Sequence, residues 1–201
     1  SVKEIRLEQV YIKILTKRNW KKHSHMTFPR LKILEMICCQ ASIFHEIFSE
    51  CKKLNKFSIK SGDQISAFAH RAILKILNQN VALKSLGIHF NVFNLIFTND
   101  DIAASTKFKL EHFQANDLHR ITGNQHSIQA NFQHFLLSQM DSLETFSISN
   151  WLGIEVLNLI FHAPLLKKLT LKGLHNCEST IEWNKIELHR NCFIEMLNFS
   201  D

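Results

Sequence analysis

Large apolar residues recur along the chain in the spacing L-x-x-[LF]-x-[IL], at Leu54/Phe57/Ile59, Leu83/Leu86/Ile88, Leu143/Phe146/Ile148 and Leu166/Leu169/Leu171. The residue between the last two apolar positions is small each time: Ser58, Gly87, Ser147 and Thr170. Side chains two apart in an extended strand point to one face, so each triplet predicts a short strand that turns its last two apolar residues into a core. Leu54 and its equivalents stand where the chain turns into the strand and help close that core. Seven and six residues ahead of the first Leu is an apolar pair in all four copies: Ile47/Phe48, Ile76/Leu77, Leu136/Leu137 and Leu159/Ile160. The segments around them carry helical spacing. Ile43, Phe44, Ile47, Phe48 and Cys51 form one stripe; Phe68, Ala69, Ala72, Ile73, Ile76 and Leu77 a second; Phe132, Phe135, Leu136 and Met140 a third. The pattern predicts a helix and a strand, repeated in one register.

The triplet alone would arise about 8 times by chance in a chain of this length and apolar content. The aligned pairs ahead of it decide the matter, because 20 of 20 registered positions are apolar. Weaker copies fall at Leu31/Leu34/Met36 and Leu110/Phe113/Ala115, with terminal ones at Val2/Ile5/Leu7 and Trp183/Ile186/Leu188. From Leu31 to Leu166 the first positions are 23, 29, 27, 33 and 23 residues apart, which scatters around the roughly 20–29 of leucine-rich repeats. One unit cannot bury both its strand and its helix, so neighbours must stack. The expected fold is therefore α/β, a leucine-rich-repeat solenoid or horseshoe with a parallel sheet on the concave face and helices on the convex face. The stretch GNQHSIQANFQ before Leu143 reads as an insert that makes the stack irregular. The last triplet, opening at Trp183, follows Leu166 too closely to leave room for a full helix between them. The segment NCFIEMLNF behind it is expected either to cover the exposed end or to mark where the array is cut.

Composition bounds this picture. Sixteen Phe against one Tyr suit a stack, because Phe fills wide space between units without needing a hydrogen-bond partner. The 201 residues suffice for one domain, 1–201, of seven or eight irregular units, and with two Pro, five Gly and no low-complexity tract nothing reads as a linker. No apolar run approaches the roughly 18 residues of a membrane span, and no secretory segment follows a basic start. No membrane partner is expected. The chain opens with Ser rather than Met, so upstream sequence is expected. Five cysteines (Cys38, Cys39, Cys51, Cys177 and Cys192) lack the paired spacing that flanks secreted arrays. They read as reduced thiols of a cytoplasmic or nuclear protein. A net charge of +6 permits an acidic partner without requiring one.

Candidate chemistry is sparse. Lys17, Arg18, Lys21, Lys22, His23 and His25 surround Trp20, a mixture that can contact phosphates and stack on bases. No nucleic-acid-binding motif accompanies it. The cluster reads as a solvated loop of the first unit, and nucleic acid is not an expected partner. His175, Cys177, His189 and Cys192 offer four ligands at loosely zinc-like spacing. His189 lies one position past Leu188 and Cys192 is a core candidate, so neither a metal nor another cofactor is expected. Asp100 and Asp101 read as a helix end, where Asn and Asp favour caps and turns. There is no P-loop, G-x-G-x-x-G, G-x-S-x-G or H-E-x-x-H. The chain is not expected to be an enzyme, and no catalytic residue is assigned.

If the strands line one face, the residues alternating with the buried ones form a partner-facing row. The full row runs Ile33, Glu35; Lys56, Ser58, Lys60; Ser85, Gly87, His89; His112, Gln114, Asn116; Thr145, Ser147, Ser149; Lys168, Thr170, Lys172; Lys185, Glu187, His189. The residues expected to carry binding are Lys56, Ser58, Lys60, His89, His112, Gln114, Asn116, Lys168, Thr170, Lys172 and Lys185. Small residues dominate the centre and leave an open floor. Many leucine-rich repeats end the strand with an Asn that caps neighbouring backbone groups. Of the aligned residues here, only Asn91 and Asn191 match.

FHAPLLKKLTLKGLHN and LLSQMDSLETFSISNW resemble the leucine-rich repeats of eukaryotic F-box proteins, with Pro164, Leu166, Leu169, Leu171 and Gly173 on the -P-x-L-x-x-L-x-L- strand and its small-residue exit. The resemblance covers the chain from Leu31 onward and concerns repeat type rather than functional residues. No F-box reads out of the residues before Leu31, so the resemblance places it upstream of Ser1. It implies the substrate-recognition module of a cullin-type ubiquitin ligase. That module would hold a protein substrate on the concave face and meet the ligase adaptor through the F-box. The alternative is a leucine-rich-repeat interaction scaffold unrelated to ubiquitin.

Overall fold

The computed structural model describes residues 4–7, 30–37, 51–60, 67–97, 107–116, 125–149, 154–172 and 192–197. Eight strands form one sheet: β1 (Glu4–Leu7), β2 (Ile33–Ile37), β3 (Lys56–Lys60), β4 (Ser85–His89), β5 (His112–Asn116), β6 (Thr145–Ser149), β7 (Lys168–Lys172) and β8 (Phe193–Leu197). Each strand lies beside the one before it in the chain, and all seven pairings are parallel. The architecture is α/β with an all-parallel sheet. Register follows the apolar triplets. Ile5, Leu34, Phe57, Leu86, Phe113, Phe146, Leu169 and Ile194 face one another across the whole sheet. Because side chains alternate with a period of two, a slip by one residue would turn this entire row outward.

The end of the sheet differs from the expectation. The strand beside β7 is Phe193–Leu197, with Phe193 opposite Lys168 and Ile194 opposite Leu169. The row position assigned to Lys185 therefore belongs to Phe193, and the positions assigned to Glu187 and His189 belong to Glu195 and Leu197. Lys185 itself, like the rest of Trp183–Leu188, lies outside the described residues. Spacing explains the difference: a strand from Lys185 would leave 12 residues after β7, the bare minimum for a parallel crossover, whereas the connections between the other strands have 18 or more. The step along the chain from Lys168 to Phe193 falls within the range of the other intervals. The true triplet reads Asn191/Ile194/Met196, and a polar residue in its first place hid it.

Four helices are described: α1 (Ala67–Gln79), α2 (Phe90–Phe97), α3 (Gln125–Gln139) and α4 (Ile154–Phe161). They pack on one another in chain order, α1 on α2, α2 on α3 and α3 on α4. Two stripes read from the sequence fall on α1 and α3. Ile73, Ile76, Leu77, Phe132, Phe135 and Leu136 are all buried. The Ile43–Phe48 stripe lies outside the described residues, while Cys51 beyond it is fully buried. The stretch read as an insert before Leu143 forms α3 from Gln125 onward, in the longest step between strands, from His112 to Thr145. Four glutamines, two histidines and two serines make up just over half of that helix, yet Ile128, Phe132, Phe135 and Leu136 still bury one narrow stripe.

The space between sheet and helices is filled largely by phenylalanine. Phe93, Phe97 and Phe132 meet with centroids 4.6–4.9 Å apart, and Phe113 stacks on Phe146 at 5.5 Å. Offset and edge-on pairs of this kind add about 0.5–1.5 kcal/mol each beyond the area they bury. Polar capping comes from an unexpected place. Asn80, fully buried just after α1, donates to the carbonyls of Cys51 and Ile76 and accepts the Leu54 N–H, all at 2.7 Å. Gln139 at the end of α3 likewise accepts the Leu110 N–H at 2.8 Å. Each amide reaches back one unit to the backbone that leads into the preceding strand, so stacking supplies the cap.

Candidate partner-binding face

The face turned away from the core carries the alternating residues of the strands. In β4 and β5 these are exposed or half-buried, while Leu86, Ile88, Phe113 and Ala115 between them are buried. Ten of the eleven expected binding residues stand at alternating strand positions of this face: Lys56, Ser58, Lys60, His89, His112, Gln114, Asn116, Lys168, Thr170 and Lys172, although Thr170 is buried. Lys60 is placed by its backbone alone. Register aligns Glu35, Ser58, Gly87, Gln114, Ser147, Thr170 and Glu195 as the centre row. A shallow hollow of about 170 Å³ crosses this row from β2 to β6, bordered by Lys56, Ser85, His112 and Thr145. Its floor is low because neighbouring strands already touch there. A Cβ on Gly87 would lie 2.8 Å from Ser58 Oγ, tight against even a small neighbour.

Two lysines of the face, Lys56 and Lys168, are ion-paired. Lys56 bonds Glu35 across the strands at 2.5 Å, and Lys168 bonds Glu195 at 3.0 Å. The Thr170 hydroxyl also donates to Glu195, at 3.2 Å. One residue ahead of the strands, Lys84 pairs with Glu111, and Lys167 pairs with Glu144 at 2.9 Å. Those two glutamates are on neighbouring strands, joined by the Glu144 N–H to the Glu111 carbonyl at 2.8 Å. From β4 to β6 the face carries neither carboxylate nor ammonium group: His112 Nδ1 lies 3.0 Å from Thr145 Oγ1, and the Gln114 amide donates to Asn116 Oδ1 at 3.3 Å.

These pairs set the acid response. The hydrogen bond from Lys167, and the nearby charges of Lys167, His112 and Lys84, hold the Glu144 carboxyl below its ordinary value. The Lys168 hydrogen bond and charge, with Thr170 and Lys172, do the same for Glu195. A carboxylate whose folded pKa is depressed stabilises the fold above its unfolded pKa of about 4.3, and that contribution disappears as pH falls through the folded value. Melting followed by circular dichroism should therefore drop in acid, from about pH 4 downward. The double variant Glu144→Gln/Glu195→Gln should show a shallower acid limb than the parent. Single removal of the face lysines is mild by comparison. Lys56→Ala should change stability by no more than about 0.5 kcal/mol in urea titration, because the pair it breaks is solvent-exposed.

Nothing described has the geometry of an active site. The His112–Thr145 contact lacks the third group that orients a catalytic base: no described residue bonds the other ring nitrogen. Burial pushes the Cys192 thiol up, away from the thiolate a nucleophile requires. Cys51 and Cys192 are free thiols. Among the described residues no three His, Cys, Asp or Glu gather to hold a metal, and no helix is long and apolar enough to cross a membrane. Lys17–His25 and the His175, Cys177 and His189 candidates lie outside the described residues. The residues that sequence reasoning missed on this face are Phe193 and Glu195. The alternation in Phe193–Leu197, at a normal interval from Lys168, was the available signal.

A hollow also lies on the helix layer, between α3 and α4. Leu137 and Leu159 line it, with His134, Glu155 and His162 around them. No family model matches the chain, and no curated protein or solved structure matches it.

Proposed function

We propose that this chain is a leucine-rich-repeat module that binds a protein on its sheet face, as the substrate-recognition part of an F-box-type cullin ubiquitin ligase. The observation that carries the binding role is the register of the sheet. Strands in chain order put the apolar triplets of β2 to β7 on one side and leave the other as a face of Ser, Thr, Gln, Asn and His, with the pairs Lys56–Glu35 and Lys168–Glu195 toward its margins. A sheet face of this kind, presented by stacked units, is an extended binding surface. Its residues hydrogen-bond without forming a catalytic constellation. The ubiquitin link rests on the resemblance of FHAPLLKKLTLKGLHN to F-box repeats and on no residue of the face.

The register of the face, which involves no F-box, serves equally a second reading, a scaffold with no tie to ubiquitin. Affinity purification of the full-length gene product followed by mass spectrometry separates the two. The ligase reading expects the adaptor and a cullin among the recovered proteins. Recovery of a partner without them, lost on Ser147→Arg at the centre of the face, leaves the scaffold.

A further inference from the structure

Positive charge collects at one edge of the sheet, where the chain enters the strands. The described segments that lead into β2 to β5 carry seven exposed cations, from Arg30 to Lys109, against one acid, Glu111. The helix layer is different: α3 has no charged residue and α4 only Glu155. Backbone bonds hold the edge in order. The Asn55 N–H donates to the Lys32 carbonyl at 2.7 Å, the Lys84 N–H to that of Asn55 at 2.8 Å and the Glu111 N–H to that of Lys84 at 2.8 Å. The ladder thus runs on one residue ahead of the strands and stacks these segments at about 4.8 Å each. Four segments spread the cations over about 14 Å rather than around one point.

Few of these charges are cancelled. Lys84 pairs with Glu111, and Lys109 Nζ donates to the Ser138 carbonyl, which leaves its charge in place. Arg30, Lys32, Lys53 and Lys107 make no ion pair among the described residues. The charges beside the edge do not reverse its sign, because Glu4 and Arg6 on β1 offset each other, as do Glu35 and Lys56. An anionic partner is selected, and other features of the edge select among anions. A single small anion needs donors that converge, and these are strung out. A nucleic acid gains from exposed aromatics that stack its bases. Among the described residues the edge exposes none, since Phe108 is buried, and shows Val81 and Ala82 instead, against which an aliphatic side chain can pack. A phosphate chain running on along the edge would next meet Asp141 and Glu144, whose carboxyl Lys167 holds below its ordinary value. A short segment ends before them. We propose that this edge docks an acidic, extended segment of a protein partner. Alternate side chains of an extended chain lie about 6.6 Å apart, so carboxylates at every second position over about five residues match the span of the cations. The site is the edge of the sheet, separate from the face proposed for substrate binding, so the two fail independently.

Fluorescence anisotropy on the full chain tests it with two labelled probes, a peptide of alternating glutamate and valine and a thymidine hexanucleotide. The peptide should bind the more tightly, and its affinity should fall about tenfold or more as salt rises from about 0.05 to 0.5 M, because exposed charges are screened. It should fall about fivefold or more on Lys53→Gln/Lys107→Gln, and by less than about twofold on Lys75→Glu, which removes the same net charge from α1. All three lysines are exposed, so melting should stay unchanged, which separates lost binding from lost folding. Tighter binding of the hexanucleotide, equal losses in the two variants, or no saturable binding of the peptide each overturn the proposal. A peptide that is lost on Ser147→Arg and indifferent to the lysine pair overturns it too, and leaves the sheet face as the site. Loss on the lysine pair with Ser147→Arg unchanged supports the edge, whatever the purification experiment returns.

Discussion

Leu169→Asp is expected to cost more than the roughly 2–5 kcal/mol of an ordinary Leu→Ala core truncation, and to detach the end of the array. Leu169 is fully buried, between Phe146 on β6 and Ile194 on β8. A carboxylate there has no cation or hydrogen-bond donor in its row, so burial would raise its pKa. The sign follows. A group whose folded pKa exceeds its unfolded value is tolerated best in acid, so the penalty should grow as pH rises from about 4 to 7. With total stabilities of about 5–15 kcal/mol for a domain, the loss approaches the whole. In a stack each unit contacts only its neighbours, so amide exchange should show β7 and β8 losing protection first and β1 last. Leu86→Asp, flanked by Phe57 and Phe113, should instead divide the array in its middle and remove cooperative unfolding altogether. If both variants melt like the parent, the side assigned to the core is wrong.

Asn80→Leu is expected to destabilise by about 2–4 kcal/mol, although it replaces a polar group with an apolar one inside a core. The amide makes three bonds, and a lost partner leaves a buried group to carry its full desolvation cost of about 1–3 kcal/mol. The Cys51 carbonyl keeps a second donor, Gln79 Nε2 at 2.8 Å. The Leu54 N–H loses the acceptor it finds in Asn80 Oδ1. Asn80→Asp should not rescue. Its carboxylate could still accept the Leu54 N–H but would confront the Cys51 and Ile76 carbonyls where the amide now donates. Urea titration of the three proteins checks the order. The parent should be the most stable and both variants well below it, with the aspartate variant recovering partly in acid, where its carboxyl can donate. Equal stability of parent and Asn80→Leu would show that this cap contributes nothing.

Much of the fold was legible because its signal is local and repeated. The triplet and the helical stripes place β2 to β7 and two of the four described helices, since alternation by two and by 3.6 are properties of neighbouring residues. What escaped was weak locally and strong only in company. The residues Ile194 and Met196 follow a polar Asn191, so the segment does not advertise itself, yet it pairs with β7. The face lysines were legible as positions but not as partners. Whether Lys56 or Lys168 is a free cation depends on Glu35 and Glu195, each one strand away in space and a whole repeat away in sequence.

The chain alone decides the alternation of strand and helix, the residues that enter the core and the polarity of the outer face, because each of these follows from side chains a few positions apart. Only stacking decides which segment pairs with β7, which buried amide caps which strand, which charges pair and that Phe193 is exposed. Those outcomes depend on contacts between successive units, such as Lys168 beside Phe193, and no local pattern encodes a distance in space.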